Sequence, residues 1–174
     1  MTLLFTYYIT QNKDAFIAKV LDVSNKLDIN PNWLMAVMYK ESRLNHLSIN
    51  ANGGATGLIQ FMPATAASLG TTTHCLLNMS NVQQMDYVYK YLKPYSNKIN
   101  SYVDTYLAVF FPAAIGKPVD WVLSASNLSA ATVARYNPSI NKNADGFISV
   151  ASFALYAFKG FTADTIETLK KKIK

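Results

Sequence analysis

Apolar residues recur along most of the chain at helical spacing. Phe16, Val20, Val23 and Leu27 stand at i, i+4, i+7 and i+11, one face of a helix. Thr10 is its expected N-terminal cap. Asn30 and Pro31 restart a helix, a cap followed by a proline whose missing N–H would have had no partner in a first turn. That helix runs through PNWLMAVMYKESRL. Pro63 opens another, closed by Gly70. Ser80 and Gln83 form a capping box ahead of Val82, Met85, Tyr89 and Leu92, and Pro94 ends that helix. Ser101 and Asp104 cap YVDTYLAVF, and a last helix starts near Thr162 and runs into the lysine-rich end. No stretch sustains two-residue alternation, so any β element is marginal. The pattern predicts one mainly α-helical domain over residues 1–174, with an extended apolar arm at about residues 1–9 packed on its core.

Composition narrows the classes. A chain of 174 residues with 51% hydrophobic positions can bury a sizeable core, which excludes a disordered chain. Its single cysteine, Cys75, rules out an intrachain disulfide, and the HCLL context points to packing. His46 and His74 are too few for a structural zinc site. The net charge of +6 comes from scattered lysines and a KKKIK end, with only Arg43 and Arg135 as arginines. Lysine, arginine and aromatic residues do not cluster as they do in nucleic-acid readers. Such diffuse positive charge ordinarily serves solubility, and it also suits a polyanionic surface such as a bacterial wall. MTLLFTYYIT lacks a basic leader, and polar residues follow it, so neither a signal peptide nor a membrane span is expected. A role at the wall then requires another export route or a longer parent chain.

The candidate chemistry starts at Glu41, one of two glutamates; the other, Glu167, falls in the exposed-looking last helix. Met38, Val37 and Leu34 precede Glu41 at i−3, i−4 and i−7, so the carboxyl prolongs an apolar stripe near a helix end. Partial desolvation there favours the protonated form, which glycosidic-bond cleavage needs from a general acid. The plainer alternative is a helix-end glutamate that reaches solvent or pairs with Lys40 or Arg43. Nineteen residues on, Gln60 is the uncharged polar residue between Ile59 and Phe61.

Together, MAVMYKESRLN and GGATGLIQFMPATA resemble the lytic transglycosylase domain of the SLT type, a lysozyme-like fold related to goose-type lysozyme. Glu41, Ser42, Gly54, Ala55, Gly57, Leu58, Gln60, Pro63, Thr65 and Ala66 carry the resemblance, which is good over residues 30–70 and loose elsewhere. It implies Glu41 as the catalytic acid, with Ser42, Gln60 and Met62 beside the glycan. Gln60 would hydrogen-bond the sugar; otherwise local backbone satisfies it, and Met62 is simply core. The family's A-Y-N-A-G-like segment corresponds to LAVFFPAAIGKP, where Phe110 stands roughly at the tyrosine. Tyr106 or Tyr136 would have to restore the lost hydroxyl, and Phe110 and Tyr136 join the expected glycan-binding set. The FFPAAIGKP form is similar to SLT-like domains of phage and prophage tail proteins.

NKNADGFISVAS, residues 141–152, follows the spacing of an EF-hand loop, with Asn141, Asn143 and Asp145 at positions one, three and five and Gly146 at the sharp turn. Ser152 replaces the bidentate glutamate, so the loop is the remnant of a calcium site: no resident cofactor is expected, Asn141, Asn143 and Asp145 stay as calcium candidates, and the plainer alternative is a structural Asp-Gly turn before a helix. For a second carboxylate, Asp86 reads as exposed mid-helix and Asp104 as a cap. The resemblance then implies a single-acid route to 1,6-anhydro-N-acetylmuramic acid ends on peptidoglycan strands. The rivals are a goose-type hydrolase using Asp86 or Asp104, and a non-catalytic glycan-binding module of a phage tail or envelope.

Overall fold

The computed structural model describes residues 2–141 and 146–172. They form two compact units, one through Asn97 and one over Lys98–Lys171. Helices carry both, and β structure among the described residues amounts to isolated bridges such as Thr56–Phe61 and Val122–Ser149.

In the first unit, helix α1 spans Lys13–Leu27 and buries Phe16, Val20, Val23 and Leu27, the stripe the spacing predicts. Its cap position is Asn12 rather than Thr10. Asn12 sits at φ 49 and makes no side-chain cap; its amide donates to Asn81 Oδ1 at 3.1 Å. Asn81 Nδ2 donates in turn to the Gln11 carbonyl at 2.7 Å. That exchange joins the start of α1 to the start of α5 (Asn81–Leu92), and a side chain spent on it cannot cap its own helix.

Helix α2, Pro31–Ser42, begins as expected, with Asn30 Oδ1 accepting from the Asn32 N–H at 2.9 Å. Pro31 through Met38 are all buried, the signature of a helix with core on every side. Tyr39, Lys40 and Glu41 are half-buried, so the helix surfaces only in its last turn. The N-terminal arm lies on this helix. It holds a short 3-10 turn at Thr6–Tyr8 rather than running extended. Leu3 and Ile9 are buried, the Leu4 N–H donates to Asn32 Oδ1 at 2.7 Å, and Phe5 stacks on Tyr39 with centroids 4.1 Å apart.

Helix α3, Pro63–Ser68, opens on its proline and is followed by Gly70 at φ 76. Helix α4 is Thr73–Leu77; it leaves Cys75 exposed, against the expectation of packing, because Leu76 takes the inward position. The Ser80–Gln83 capping box starts α5, which packs on α1 and buries Gln84, Met85, Val88 and Leu92.

In the second unit, α6 spans Tyr102–Phe110 under the Ser101 cap, with Asp104 Oδ2 accepting from Ser101 Oγ at 2.9 Å. Helices α7 (Ala130–Tyr136), α8 (Val150–Phe158) and α9 (Ala163–Lys170) follow, α9 capped by Thr162. The core of this unit is aromatic: Tyr106 packs edge-on to Phe153 at 5.1 Å, and Tyr102 donates its hydroxyl to the Ala157 carbonyl at 3.0 Å.

Candidate active site

Glu41 is the penultimate residue of α2, and the way that helix ends decides where the carboxyl stands. The chain leaves α2 through two consecutive left-handed residues, Arg43 at φ 56 and Leu44 at φ 62. The Arg43 N–H bonds the Tyr39 carbonyl at 3.1 Å and the Leu44 N–H bonds the Met38 carbonyl at 3.3 Å. Left-handed backbone costs a non-glycine residue about 1 kcal/mol. Burial of Leu44 and the Arg43 guanidinium 4.3 Å above the Tyr39 ring offset that strain. The outcome is a sharp exit that leaves Glu41 half-buried in the last turn of α2.

Ser42 is buried, and its hydroxyl lies 3.0 Å from the Met38 carbonyl and 2.9 Å from the Leu58 carbonyl. The residue after Glu41 therefore ties the end of α2 to the glycine-rich segment. That segment closes on itself: Thr56 and Phe61 exchange two backbone bonds, at 3.0 and 2.8 Å, and the Gly57 N–H donates to the Ser48 carbonyl at 2.9 Å.

Gln60 sits at the head of this loop at φ 55. Its Nε2 donates to the Gly57 carbonyl at 3.1 Å and the Ser48 carbonyl at 3.3 Å. Only an NH₂ group can face two carbonyl oxygens, so the amide orientation is fixed chemically and Oε1 is the end turned elsewhere. Phe61 is buried edge-on against Tyr91, at 6.3 Å. Burial pushes the Tyr91 phenol up to about 12, so it remains a neutral hydroxyl at any ordinary pH. Met62, at the start of α3, is 49% exposed, and a Cβ on Gly53 would lie 3.8 Å from its Cε.

The sequence reading had no place for Gln84. This α5 amide is 0% exposed, yet all its polar atoms are used. Oε1 accepts from the Leu58 N–H at 3.0 Å, and Nε2 donates to the His46 and Leu76 carbonyls at 2.8 Å each. A Cβ on Gly57 would lie 2.5 Å from Gln84 Oε1, and Gly57 has φ +81, so two separate constraints demand glycine there. The available signal was periodicity: Gln84 falls in the stripe of Met85, Val88 and Leu92 that α5 buries.

Phe110 and Tyr136 belong to the second unit. Phe110 is half-buried and stacks on Phe153 at 4.9 Å, whereas Tyr136 is 71% exposed beneath the Arg135 guanidinium. Tyr106 is buried in the aromatic core of the same unit. Of the calcium candidates, Asn143 and Asp145 lie outside the described residues. Asn141 is half-buried, and Gly146 has the left-handed φ of 77 that a sharp turn needs. Ser152, at the twelfth position, is committed to the α8 cap, its hydroxyl 3.0 Å from that of Ser149. Among the described residues, no three His, Cys, Asp or Glu side chains gather in a metal-binding group.

Both lesser carboxylates are engaged. Asp86 pairs with Lys19 at 2.6 Å on the α1–α5 surface, and Asp104 Oδ2 accepts from the Ser101 hydroxyl at 2.9 Å and the Asn100 N–H at 3.0 Å at the start of α6. Glu167 pairs with Lys171 at 3.4 Å in α9. No helix is long and apolar enough to cross a membrane among the described residues.

The model of the Transglycosylase SLT domain family matches residues 20–111. The chain belongs to the SLT transglycosylase family. The match begins within α1, takes in Glu41, Ser42, Gln60 and Met62, and ends just past α6. SLT domains are lysozyme-like helical folds that cleave glycosidic bonds in peptidoglycan strands. No curated protein and no solved structure matches the chain.

Proposed function

We propose that this SLT domain is a peptidoglycan lytic transglycosylase in which Glu41 serves first as general acid and then as base. The observation that carries the reading is the setting of Glu41: the last turn of an otherwise buried helix, tied through Ser42 to the Gln60 loop. Glu41 protonates the glycosidic oxygen between N-acetylmuramic acid and N-acetylglucosamine, and the bond to the muramyl anomeric carbon breaks. The resulting carboxylate takes the proton from the muramyl 6-hydroxyl, whose oxygen closes on that carbon. The strand then ends in a 1,6-anhydro sugar, no water is consumed, and Glu41 regains its proton.

Gln60 holds its loop through Nε2 and presents Oε1 to a sugar hydroxyl or amide. Met62 offers an exposed side chain to the strand, and a glycan-binding role for Phe110 and Tyr136 rests on the family resemblance alone. The commitments of Asp86 to Lys19 and of Asp104 to a helix cap favour this route over hydrolysis, which needs a second carboxylate to activate water or trap the sugar. The family match runs across the break between the two compact units, which supports treating residues 1–174 as one lysozyme-like domain. Its place of action is the bacterial cell wall, in the periplasm or on a phage particle.

Digestion of purified sacculi in ¹⁸O-labelled water tests the chemistry. Transglycosylation gives anhydro ends without the label. Labelled reducing ends would establish a hydrolase instead, and sacculus binding without products would establish a glycan-binding module.

A further inference from the structure

We infer that Gln84 is a positioning residue for catalysis, an inference that rests on the proposed role of Glu41. Four observations lead there. Gln84 lies on α5, remote in sequence from the motif, and is fully buried. Its amide serves three backbone groups from three segments: Leu58 N–H in the Gln60 loop, the His46 carbonyl just after the α2 exit, and the Leu76 carbonyl at α4. Leu58 is also the residue whose carbonyl lies within hydrogen-bonding distance of Ser42, next to Glu41. Gly57 has no side chain at the one point where a Cβ would strike the Gln84 carbonyl oxygen.

Leu58 is therefore gripped on both sides, by Gln84 through its N–H and by Ser42 through its C=O. The grip fixes the loop bearing Gln60 relative to the helix end bearing Glu41. An amide is the group that fits, because it supplies one acceptor and two donors at a single point. An apolar residue of the same size would leave one N–H and two carbonyls without their partner. Catalysis is sensitive to such placement, since displacements of about 1 Å can cost about a hundredfold in rate.

The test uses the full chain carrying Gln84→Met, with soluble uncrosslinked glycan strands as substrate, assayed well below the melting temperature. Amide hydrogen exchange is followed over residues 46–61 of the folded protein. Expected are a kcat per folded molecule reduced about tenfold or more, a KM within about twofold, and faster exchange confined to residues 46–61. Gln84→Asn keeps a neutral amide with one acceptor and two donors on a shorter stem; it serves as a milder second variant should Gln84→Met not accumulate, with a smaller loss of the same kind. An unchanged kcat per folded molecule, or exchange no faster in residues 46–61 than elsewhere, would overturn the inference. Glu41→Gln is run in parallel. Undiminished cleavage by that variant would remove the catalytic reading, while the exchange data still decide whether Gln84 holds the loop.

Discussion

Ser42 and Gln84 hold opposite sides of one residue: Ser42 Oγ approaches the Leu58 carbonyl at 2.9 Å, and Gln84 Oε1 accepts the Leu58 N–H at 3.0 Å. Through that residue the end of the glutamate helix, the glycine-rich loop and α5 become one mechanical unit.

The Ser42 side of the grip can be removed without disturbing Glu41 chemically. Ser42→Ala leaves the buried Leu58 carbonyl without its hydroxyl donor. The expected loss is about 1–2 kcal/mol of stability, read by urea denaturation, with a fall in cleavage rate larger than any change in glycan affinity. Wild-type stability and rate in this variant would contradict the assignment.

Gln60 combines a left-handed backbone with two side-chain bonds to carbonyls. Gln60→Ala and Gln60→Gly both lose the bonds, but only glycine adopts φ 55 without penalty. Gln60→Gly should therefore be the more stable of the two by about 1 kcal/mol, and both should bind glycan more weakly than the parent. Equal stabilities would show that the backbone relaxes out of the left-handed region.

Asp86 is 58% exposed, and its pair with Lys19 is of the surface kind worth about 0–1 kcal/mol. Asp86→Asn should change cleavage by less than about twofold, since the carboxylate is committed to a surface ion pair of small energy. A collapse of activity would restore the two-carboxylate hydrolase.

Burial pushes the His46 imidazole below its ordinary value of 6.5. The folded protein thus disfavours the charged ring, and as the pH falls the unfolded chain takes up the proton first. The stability contribution is whole above about pH 6.5 and is lost as the pH drops towards the folded-state value. Thermal midpoints between about pH 5 and pH 8 should fall more steeply for the parent than for His46→Gln. Parallel curves would count against this account.

How much of this was legible in the sequence follows from the range of each interaction. Local patterns read correctly: the α1 stripe, the Asn30-Pro31 start, the Ser80–Gln83 box and the Ser101–Asp104 cap each lie within a few residues. The Glu41–Gln60 region was visible as a motif. What depended on partners far along the chain was not. Asn12 displaced Thr10 because Asn81 holds it across 69 residues. Gln84 reaches 26 residues back to Leu58 and 38 to His46, and no short window shows that a buried glutamine has three backbone clients. Cys75 was misplaced for a related reason: a five-residue helix has too few positions for periodicity to say which side faces inward.

The central claim is that Glu41 alone carries the acid and base work. The most direct measurement is mass spectrometry of muropeptides released from sacculi by the parent protein and by Glu41→Gln, with circular dichroism confirming that both are folded. The account predicts anhydromuramyl products from the parent and none from the folded variant. The same products at the same rate from folded Glu41→Gln would contradict it.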